Sequence, residues 1–339
     1  MMRMSKAVLV VGGAFGDEGK GKVISYLAVK DKVDVAVRGG VGPNAGHTVV
    51  CGGRTYKVRL VPSAFVNPQT RLLIGAGVVV NPQLLLEEVE LTGVRGRLGV
   101  DYQTGVIEEE HIQRDKTGHL KEKIGTTGSG SGPANADRVL RKGKVARDIP
   151  TLQEFLTDVA GEVNNALDEG KRVLVEGTQG TFLSLYHGTY PYVTSKDTTA
   201  SAACADVGLG PLRVGEVIVV FKAYFTRVGE GPLEGELPQE EVVKRGWCEF
   251  GTVTGRMRRA APFNFKLAKR ACILNSATQI ALTKLDVLFT CDAGVKRFED
   301  LSNEAKSFVR KIEEETGVKV TLIGTGPNVE DMIDRRGEV

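Results

Sequence analysis

The chain has 339 residues, a formal net charge of +3, 41% hydrophobic residues and 26% charged residues. This balance excludes an intrinsically disordered chain and argues against a protein that coats a nucleic acid polymer. The longest apolar stretches, such as residues 72–80, are too short to span a bilayer. No hydrophobic signal core follows Met1, and five scattered cysteines without a C-x-x-C motif predict reduced thiols. We therefore expect a cytoplasmic protein with no membrane or nucleic acid partner.

The apolar residues follow an alternating pattern of strands and helices. Strands are predicted over residues 6–11, 33–37, 171–175, 216–221, 279–283 and 319–323, and helices over residues 20–30, 82–91, 151–169, 265–278 and 301–316. Such alternation predicts an α/β fold around a largely parallel sheet. Ligands of these sheets bind at the carboxyl ends of the strands, so the loops that follow the strands are the candidate site.

The first such loop lies within residues 10–22, VVGGAFGDEGKGK. A strand, a glycine-rich turn and a helix start form a geometry that binds phosphate, and Lys20 adds a cation. The spacing is not that of the regular G-x-x-x-x-G-K-[ST] phosphate loop. Alternatively, Asp17 caps the helix and the glycines only form a turn. Carboxylates beside phosphates repel them unless they bind a metal ion or move a proton, so Asp17 and Glu18 need such a role.

The second loop, residues 38–48, reads RGGVGPNAGHT and follows the second predicted strand. It is expected at the same sheet edge as the first loop. Asn44 and His47 are polar groups in a scaffold of glycines and small residues. His47 is a candidate acid or base, although a surface histidine or a hydrogen-bonded core histidine is the alternative.

Two further loops are rich in small polar residues. Residues 124–141 run from a Gly/Ser/Thr-rich stretch into a helix that carries Arg141, and they predict either anion binding or a flexible linker. Residues 176–199 follow a buried strand, and Gln179 and Thr194 supply an amide and a hydroxyl that can contact a base or a phosphate. A purely structural loop is the alternative for this segment.

Residues 251–259, GTVTGRMRR, place three arginines within four positions. Arginine side chains bind carboxylates with two parallel hydrogen bonds, so Arg256 and Arg258 are candidates for carboxylate recognition. A solvated basic surface run is the alternative.

Residues 282–288, LTKLDVL, end a predicted strand with the pattern T-K-x-D. In many GTP-binding proteins the aspartate of such a motif accepts the ring N–H and the exocyclic amino group of guanine, while the lysine stem packs over the base. Four residues are a weak pattern alone. Together with a phosphate loop, Lys284 and Asp286 favour GTP.

In combination, these motifs resemble the adenylosuccinate synthetase family, the GTP-dependent ligases of AMP synthesis. The matching segments occur in the family's order: GDEGKGK (16–22), NAGHT (44–48), GTTGSGSGP (125–133), EGTQGT (176–181), HGTYPYVTS (187–195), KAYFTRVGEGP (222–232), FGTVTGR (250–256), LTKLDVL (282–288) and GTGP (324–327). The resemblance implies one domain over residues 1–339. Its fold would be a P-loop-NTPase-like α/β fold with a large, mostly parallel sheet flanked by helices and with long active-site loops.

The resemblance also implies the reaction and its catalytic groups. L-Aspartate is joined to IMP through a 6-phosphoryl-IMP intermediate, with GTP as co-substrate, to give adenylosuccinate, GDP and phosphate. Asp17 is then the catalytic base and a ligand of Mg²⁺, and His47 is the catalytic acid. Lys20 contacts the phosphates, Gln179 helps to hold the intermediate, and the carbonyl of Gly46 is a second Mg²⁺ contact.

The resemblance assigns the binding residues as follows. GTP is bound by Gly16, Glu18, Gly19, Lys20, Gly21, Lys284, Asp286, Gly324, Thr325 and Gly326; IMP by Asn44, Thr127, Arg141, Gln179 and Thr194; and aspartate by Thr254, Arg256 and Arg258. Arg141 matches an arginine that reaches IMP in the neighbouring subunit, which implies a homodimer with shared sites.

The sequence departs from the family pattern at Val41, Pro43, Val253 and Gly324. These substitutions leave the residues that carry the chemistry in place. Two activities of other classes are weaker alternatives: a regulatory GTP-binding switch, whose slow GTP turnover would not respond to IMP and aspartate, and a nucleotide kinase, whose final product would be a phosphorylated nucleotide.

Overall fold

A computed structural model describes residues 5–251 and 255–338. Its strands are, in chain order, β1 (Ala7–Gly12), β2 (Val35–Arg38), β3 (His47–Cys51), β4 (Arg54–Val58), β5 (Arg71–Ile74), β6 (Val79–Val80), β7 (Leu98–Asp101), β8 (Gly105–Val106), β9 (Leu156–Thr157), β10 (Val173–Glu176), β11 (Val214–Lys222), β12 (Tyr224–Arg227), β13 (Arg259–Pro262), β14 (Gln279–Thr283), β15 (Val320–Gly324) and β16 (Met332–Asp334).

The α-helices are α1 (Lys20–Lys30), α2 (Pro82–Thr92), α3 (Glu109–Asp115), α4 (Ser131–Val139), α5 (Val159–Asp168), α6 (Ala200–Val207), α7 (Gln239–Lys244), α8 (Phe265–Asn275), α9 (Leu285–Leu288) and α10 (Asn303–Thr316). Short 3-10 turns lie at Ser63–Val66, Arg95–Arg97, Ala146–Asp148, Pro150–Phe155, Thr181–Leu183, Pro211–Arg213, Thr290–Asp292 and Phe298–Asp300, and a π-helical turn lies at Leu120–Ile124.

One ten-stranded sheet organises the molecule, in the order β16-β15-β14-β11-β1-β10-β2-β5-β7-β9. Its strands pair in parallel except at one edge, where β16 is antiparallel to β15. This arrangement confirms the predicted α/β fold with a large, mostly parallel sheet.

Helices cover both faces of the sheet, which is why its strands are apolar on both sides. On β1, Leu9 and Val11 join a core cluster that includes residues of α5, α6, α8 and α10. Val10, between them, points to the opposite face and packs in the cluster that contains α1 and α2. The alternation of side chains along a strand therefore feeds two separate cores.

One predicted helix was wrong. Residues 151–169 divide into a 3-10 turn, the short strand β9 and helix α5. Asp158 separates them, because its side chain accepts a hydrogen bond from the N–H of Gly161 and so caps α5. The apolar spacing continued through this break because Leu152 and Phe155 of the turn are also buried.

Because the strands are parallel, the carboxyl ends of six of them lie along the same side of the sheet. The loops after β1, β2, β10, β11, β14 and β15 therefore lie side by side, and they contain most of the residues predicted to act in binding or catalysis.

Candidate active site

The loop between β1 and α1 is built around a buried carboxylate. Glu18 Oε1 accepts hydrogen bonds from the N–H groups of Ala14 (2.9 Å) and Gly16 (2.8 Å), and Oε2 lies 2.8 Å from Lys20 Nζ. Gly16 and Gly19 have φ of 101° and 85°, a conformation that favours glycine. The sequence assigned Glu18 to GTP binding, but its carboxylate is used inside the loop, so its backbone is the part left to contact a phosphate.

Lys20 connects this loop to the loop after β10. Its ammonium group donates to the carbonyl of Gln179 as well as to Glu18, and it is almost completely buried. A lysine at the start of such a helix suits phosphate binding, but here Glu18, Gln179 and Gly16 accept its three hydrogen bonds, so a phosphate must replace one of them.

Asp17 follows on the open side of the loop, where it lines a cavity of about 360 Å³. Its Oδ1 lies 3.0 Å from Arg258 Nη2, and its Oδ2 is 3.4 Å from the hydroxyl of Thr226. Burial raises the pKa of Asp17, and the positive charges of Arg258 and Lys222 oppose that rise. A buried carboxylate with a raised pKa is a better proton acceptor than an ordinary one.

A second carboxylate, Glu249, holds Arg258 beside Asp17. Glu249 accepts hydrogen bonds from Arg258, from the hydroxyl of Tyr224 and, at 2.9 Å, from Lys222 Nζ. Burial by itself would raise the pKa of Glu249, but Lys222, Tyr224 and Arg258 lower it to about 2. Glu249, Lys222 and Tyr224 were missed in the sequence, although Lys222 stands at the end of the apolar strand β11.

His47 belongs to a buried polar cluster with Arg38, Ser63 and Glu176. Glu176 Oε1 accepts hydrogen bonds from Arg38 (2.6 Å) and the Ser63 hydroxyl (2.8 Å), and Oε2 accepts one from the Ser63 N–H (2.7 Å). His47 Nδ1 also contacts Glu176 Oε1. A Cβ at Gly21 would fall 2.9 Å from the Cβ of His47, so glycine there lets the histidine approach the first turn of α1.

The cluster determines the protonation of His47. Burial and the charge of Arg38 lower the pKa of His47 to about 4, although Glu176 opposes them. Arg38 and His47 in turn lower the pKa of Glu176 to about 2 against the effect of burial. At pH 7 the imidazole is therefore neutral, and its Nδ1–H donates to the ionised Glu176. Its Nε2 carries no proton. The negative charge of a phosphate bound nearby would raise the pKa of His47 and favour protonation at Nε2.

This shift predicts a stability that falls with acidity. The unfolded His47, with a pKa of 6.5, binds a proton that the folded protein binds only near pH 4. The contribution of His47 to the free energy of unfolding is therefore fully present above pH 6.5 and is lost toward pH 4. The loss amounts to about 3 kcal/mol, at 1.4 kcal/mol per pKa unit. Urea denaturation between pH 7 and pH 5 should show a smaller decrease in His47→Asn than in the wild type. Replacement of the exposed His187 should leave the decrease unchanged, and equal slopes in His47→Asn would contradict the assignment.

The loop after β10 joins the loop after β2 through an amide pair. Gln179 Nε2 donates to Asn44 Oδ1 at 3.0 Å, and Asn44 Nδ2 donates to the hydroxyl of Thr194 at 3.1 Å. Thr127 lies across the cavity, with its hydroxyl 3.2 Å from Ser129 Oγ. The predicted residues that line this one cavity are Gly16, Asp17, Asn44, Gly46, Thr127, Gln179, Thr194 and Arg258.

The predicted guanine-binding residues lie apart from this cavity, at the ends of the neighbouring strands β14 and β15. Asp286 Oδ1 is buried and has no hydrogen-bond partner in the described part of the chain. Thr325 is buried, and its hydroxyl donates to the carbonyl of Val295. Gly326 and Asp331 each accept a hydrogen bond from Lys22 Nζ through their carbonyls. Lys22, which the sequence did not single out, therefore ties the start of α1 to the loop after β15.

Arg141 and Arg256 do not line the cavity. Arg141 is exposed beyond the end of α4, with a φ of 59°. Arg256 is exposed and donates to the carbonyl of Gly125 at 3.0 Å. Thr254 lies outside the described residues.

A parallel α/β sheet, a phosphate-type loop and an orphaned carboxylate at the end of β14 define a nucleotide-binding α/β enzyme. The sequence model of the family described as adenylosuccinate synthetase matches residues 9–155, 144–293 and 289–333. The chain belongs to the adenylosuccinate synthetase family, which consists of GTP-dependent ligases.

Relatives with curated sequences support this membership. The adenylosuccinate synthetase of Methanocaldococcus jannaschii is 58% identical, over 99% of this chain and 100% of its own length. That of Pyrococcus horikoshii is 54% identical, over 98% and 99%. The compact length of this chain is thus shared with these archaeal enzymes.

Solved structures show the same fold. A fully ligated adenylosuccinate synthetase from Plasmodium falciparum superimposes with a TM-score of 0.90 at 26% identity, covering 98% of this chain and 100% of that one. A succinoaminodeoxyadenylate synthetase from cyanophage S-2L, bound to dGMP and to dATP as an energy donor, has a TM-score of 0.81 at 27% identity, covering 98% and 96%.

Proposed function

We propose that this chain joins L-aspartate to IMP through 6-phosphoryl-IMP, with Asp17 as the base that starts the reaction. The observation that carries the proposal is the position of Asp17. It is a carboxylate with 15% of its side chain exposed and with a raised pKa, placed between the β1–α1 loop and Arg258 at the rim of one cavity. A base, a phosphate loop and a carboxylate-binding arginine are the three groups that this ligation needs.

In the first step, Asp17 takes the proton from N1 of IMP. The electron pair of that bond moves into the ring and makes O6 nucleophilic toward the γ-phosphorus of GTP. The new O6–P bond forms as the bond to the β-phosphate oxygen breaks, which gives GDP and 6-phosphoryl-IMP. Lys20 and the backbone N–H groups of the loop stabilise the charge on the phosphoryl oxygens, and His47 does so once Nε2 is protonated beside the bound phosphates.

Mg²⁺ fits this site. The Asp17 carboxylate and the Gly46 backbone line the same cavity, and they supply the oxygen ligands that Mg²⁺ prefers. No group of three or more His, Cys, Asp or Glu residues suited to a metal occurs within residues 5–251 and 255–338. Mg²⁺ needs few protein carboxylates, because phosphates and water supply its other ligands. When bound, the ion would neutralise negative charge on the phosphates.

The second step needs aspartate in place. Arg256 and Arg258, with Thr254, are proposed to bind its carboxylates, while Asn44, Thr127, Gln179 and Thr194 hold IMP. Arg258 already forms ion pairs with Asp17 and Glu249. A substrate carboxylate that binds Arg258 would therefore replace one of these contacts within the protein. The aspartate amine then attacks C6, a proton leaves the nitrogen, and the C6–O bond breaks to release phosphate.

One assay tests the whole proposal. The purified protein is mixed with GTP, Mg²⁺, IMP and aspartate, and adenylosuccinate is measured, with each component omitted in turn. We expect product only in the complete mixture. Failure of the folded protein to form adenylosuccinate would overturn the proposal, and a phosphorylated nucleotide as the final product would indicate a kinase.

Asp286→Asn should weaken the preference for guanine. The buried Oδ1 of Asp286 has no partner in the described structure, and guanine offers the paired N–H donors that a carboxylate accepts. An amide accepts only one of them, so we expect the KM for GTP to rise about 10- to 100-fold, the effect of losing a hydrogen bond to a charged group. The KM for IMP should not change, and Asp300→Asn on the surface is the control. Unchanged use of GTP by Asp286→Asn would refute the role.

We also propose a homodimer in which Arg141 completes the partner's IMP site. Arg141 does not reach the cavity of its own chain, and its neighbours Val139 and Leu140 are 71% and 59% exposed. Apolar side chains exposed next to each other are typical of an interface between proteins. Their position beside Arg141 supports assembly through this end of α4.

Mixing two inactive variants tests the shared site. Asp17→Ala and Arg141→Leu should each have little activity alone. After subunit exchange, a mixed dimer has one site with both residues intact, so an equal mixture should recover about a quarter of wild-type activity. Equilibrium sedimentation provides the control for dimer formation. No recovery from dimers that exchange subunits would show that Arg141 acts within its own chain.

The proposed location is the cytoplasm. Within the part of the chain that the structure describes, no helix has the length and apolar character needed to cross a membrane.

A further inference from the structure

We propose that Thr178 is a positioning residue that fixes the direction of a hydrogen-bond chain into the IMP site. The chain runs from the Val41 N–H to the Thr178 hydroxyl, to the Gln179 amide, to the Asn44 amide and finally to the Thr194 hydroxyl. Its effect is that Gln179 and Thr194 present hydrogen-bond donors to the substrate. The inference rests on the proposed function, in which those residues bind IMP.

The hydroxyl of Thr178 determines the direction at the start of the chain. Thr178 is 2% exposed, and its oxygen accepts a hydrogen bond of 2.9 Å from the Val41 N–H. Its own hydrogen then needs an acceptor, because a buried hydroxyl without one is unfavourable. Gln179 Oε1 lies within hydrogen-bonding distance and fills that need.

The backbone beside Thr178 is shaped around this hydroxyl. Gly40 has a φ of 94°, and a Cβ at that position would fall 2.0 Å from Thr178 Oγ1. Any side chain at Gly40 would therefore displace the hydroxyl.

The orientation of the Gln179 amide determines the orientation of each later group in the hydrogen-bond chain. Once Gln179 Oε1 has accepted the Thr178 hydrogen, Gln179 Nε2 faces Asn44 Oδ1 at 3.0 Å. Asn44 Nδ2 consequently faces Thr194 Oγ1 at 3.1 Å, and the Thr194 oxygen serves as an acceptor. Thr194 therefore keeps its own hydrogen for the cavity, and Gln179 keeps its second amide hydrogen.

This direction suits the proposed substrate. The phosphate and the deprotonated base of IMP carry oxygen acceptors, so they need donors from the protein. The backbone of Gln179 is fixed independently, because its carbonyl accepts a hydrogen bond from Lys20 and its φ is 51°. The remaining freedom is a flip of the side-chain amide, which would turn Oε1 toward the substrate. Thr178 does not line the cavity, so it acts through Gln179.

Thr178→Val tests the inference, because valine keeps the shape and removes the hydroxyl. We expect kcat/KM for IMP to fall about 10- to 100-fold, as for one misdirected hydrogen bond, while the KM for GTP stays within about twofold. Thr178→Ser retains the hydroxyl and should restore kcat/KM for IMP to near the wild-type value. Thr178→Ala removes the hydroxyl without adding bulk beside Gly40. It replaces Thr178→Val in the test if the valine variant does not fold, and we expect the same loss of kcat/KM for IMP.

Thr70→Val is the matched control for stability. Thr70 is equally buried, and its hydroxyl donates to the carbonyl of Val33 away from the cavity. It should lower the melting temperature without a change in the kinetics for IMP. Wild-type kcat/KM for IMP in Thr178→Val or Thr178→Ala would overturn the inference, as would an equal loss in Thr178→Ser. Failure of the wild-type protein to make adenylosuccinate would instead refute the proposed function.

Discussion

Asp17→Ala is expected to reduce turnover by about 10²- to 10⁴-fold, the usual contribution of a general base. The Asp17 carboxylate lines the cavity, and burial raises its pKa. Its removal leaves no acceptor for the N1 proton of IMP at that position. GTP should still bind, because Glu18 and Lys20 continue to hold the loop after β1, although its affinity falls with the loss of the proposed Mg²⁺ ligand. Steady-state kinetics and titration with a fluorescent GTP analogue measure the two effects separately.

Two further variants make this result interpretable. Asp17→Asn keeps the shape of the side chain and should be as inactive as alanine, because an amide does not accept a proton at neutral pH. Asp300→Ala, on the exposed surface, should leave turnover unchanged. Arg258 should stay in place in either Asp17 variant, since Glu249 still binds it. Near-normal turnover in Asp17→Asn would refute the role of Asp17 as the base.

Glu176→Gln is expected to destabilise the folded protein by about 3–5 kcal/mol, the range found when one partner of a buried ion pair is removed. Arg38 and Glu176 are both inaccessible to solvent and lie 2.6 Å apart. The amide would leave the charge of Arg38 uncompensated in the interior. It would also weaken the contacts to His47 and Ser63, so turnover of the folded fraction should fall as well. Guanidinium denaturation gives the first quantity and kcat the second.

Glu154→Gln provides the matched control for this loss of charge. Glu154 forms an ion pair with Arg95, and both side chains are about half exposed. Exposed pairs contribute little, so the same substitution there should change stability by less than about 1 kcal/mol. Equal effects of the two substitutions would contradict the role assigned to the buried cluster.

The secondary structure near the phosphate loop followed directly from the sequence. Helix α1 spans the predicted residues 20–30, because its apolar residues Val23, Ile24 and Leu27 keep helical spacing and the glycines before it prevent an earlier start. The strands β5 and β7 were missed, since each has only four residues and gains its stability from its neighbours in the sheet. Short strands are defined by pairing, which a local pattern does not record.

Among the candidate site residues, the sequence identified those displayed on glycine-rich loops. It did not identify the residues that hold the loops and their side chains in place through hydrogen bonds and ion pairs, namely Arg38, Ser63, Glu176, Glu249 and Lys22. One signal was available: Arg38 and Glu176 are charged residues that end buried apolar strands. Their partners come from segments distant in the chain, so the pairing itself could not be predicted. The roles assigned to individual residues, and the single domain over residues 1–339, stay predictions.

The sequence by itself determined the α/β class, the family and the chemical types present at the site, because these depend on local periodicity and on contiguous motifs. The tertiary structure decided how those groups are used. Glu18 proved to be enclosed in its own loop, His47 is neutral beside an ionised Glu176, and Arg258 is shared between Asp17 and Glu249. Burial and long-range charge pairs set these states, and both arise only when the strand ends meet at one edge of the sheet.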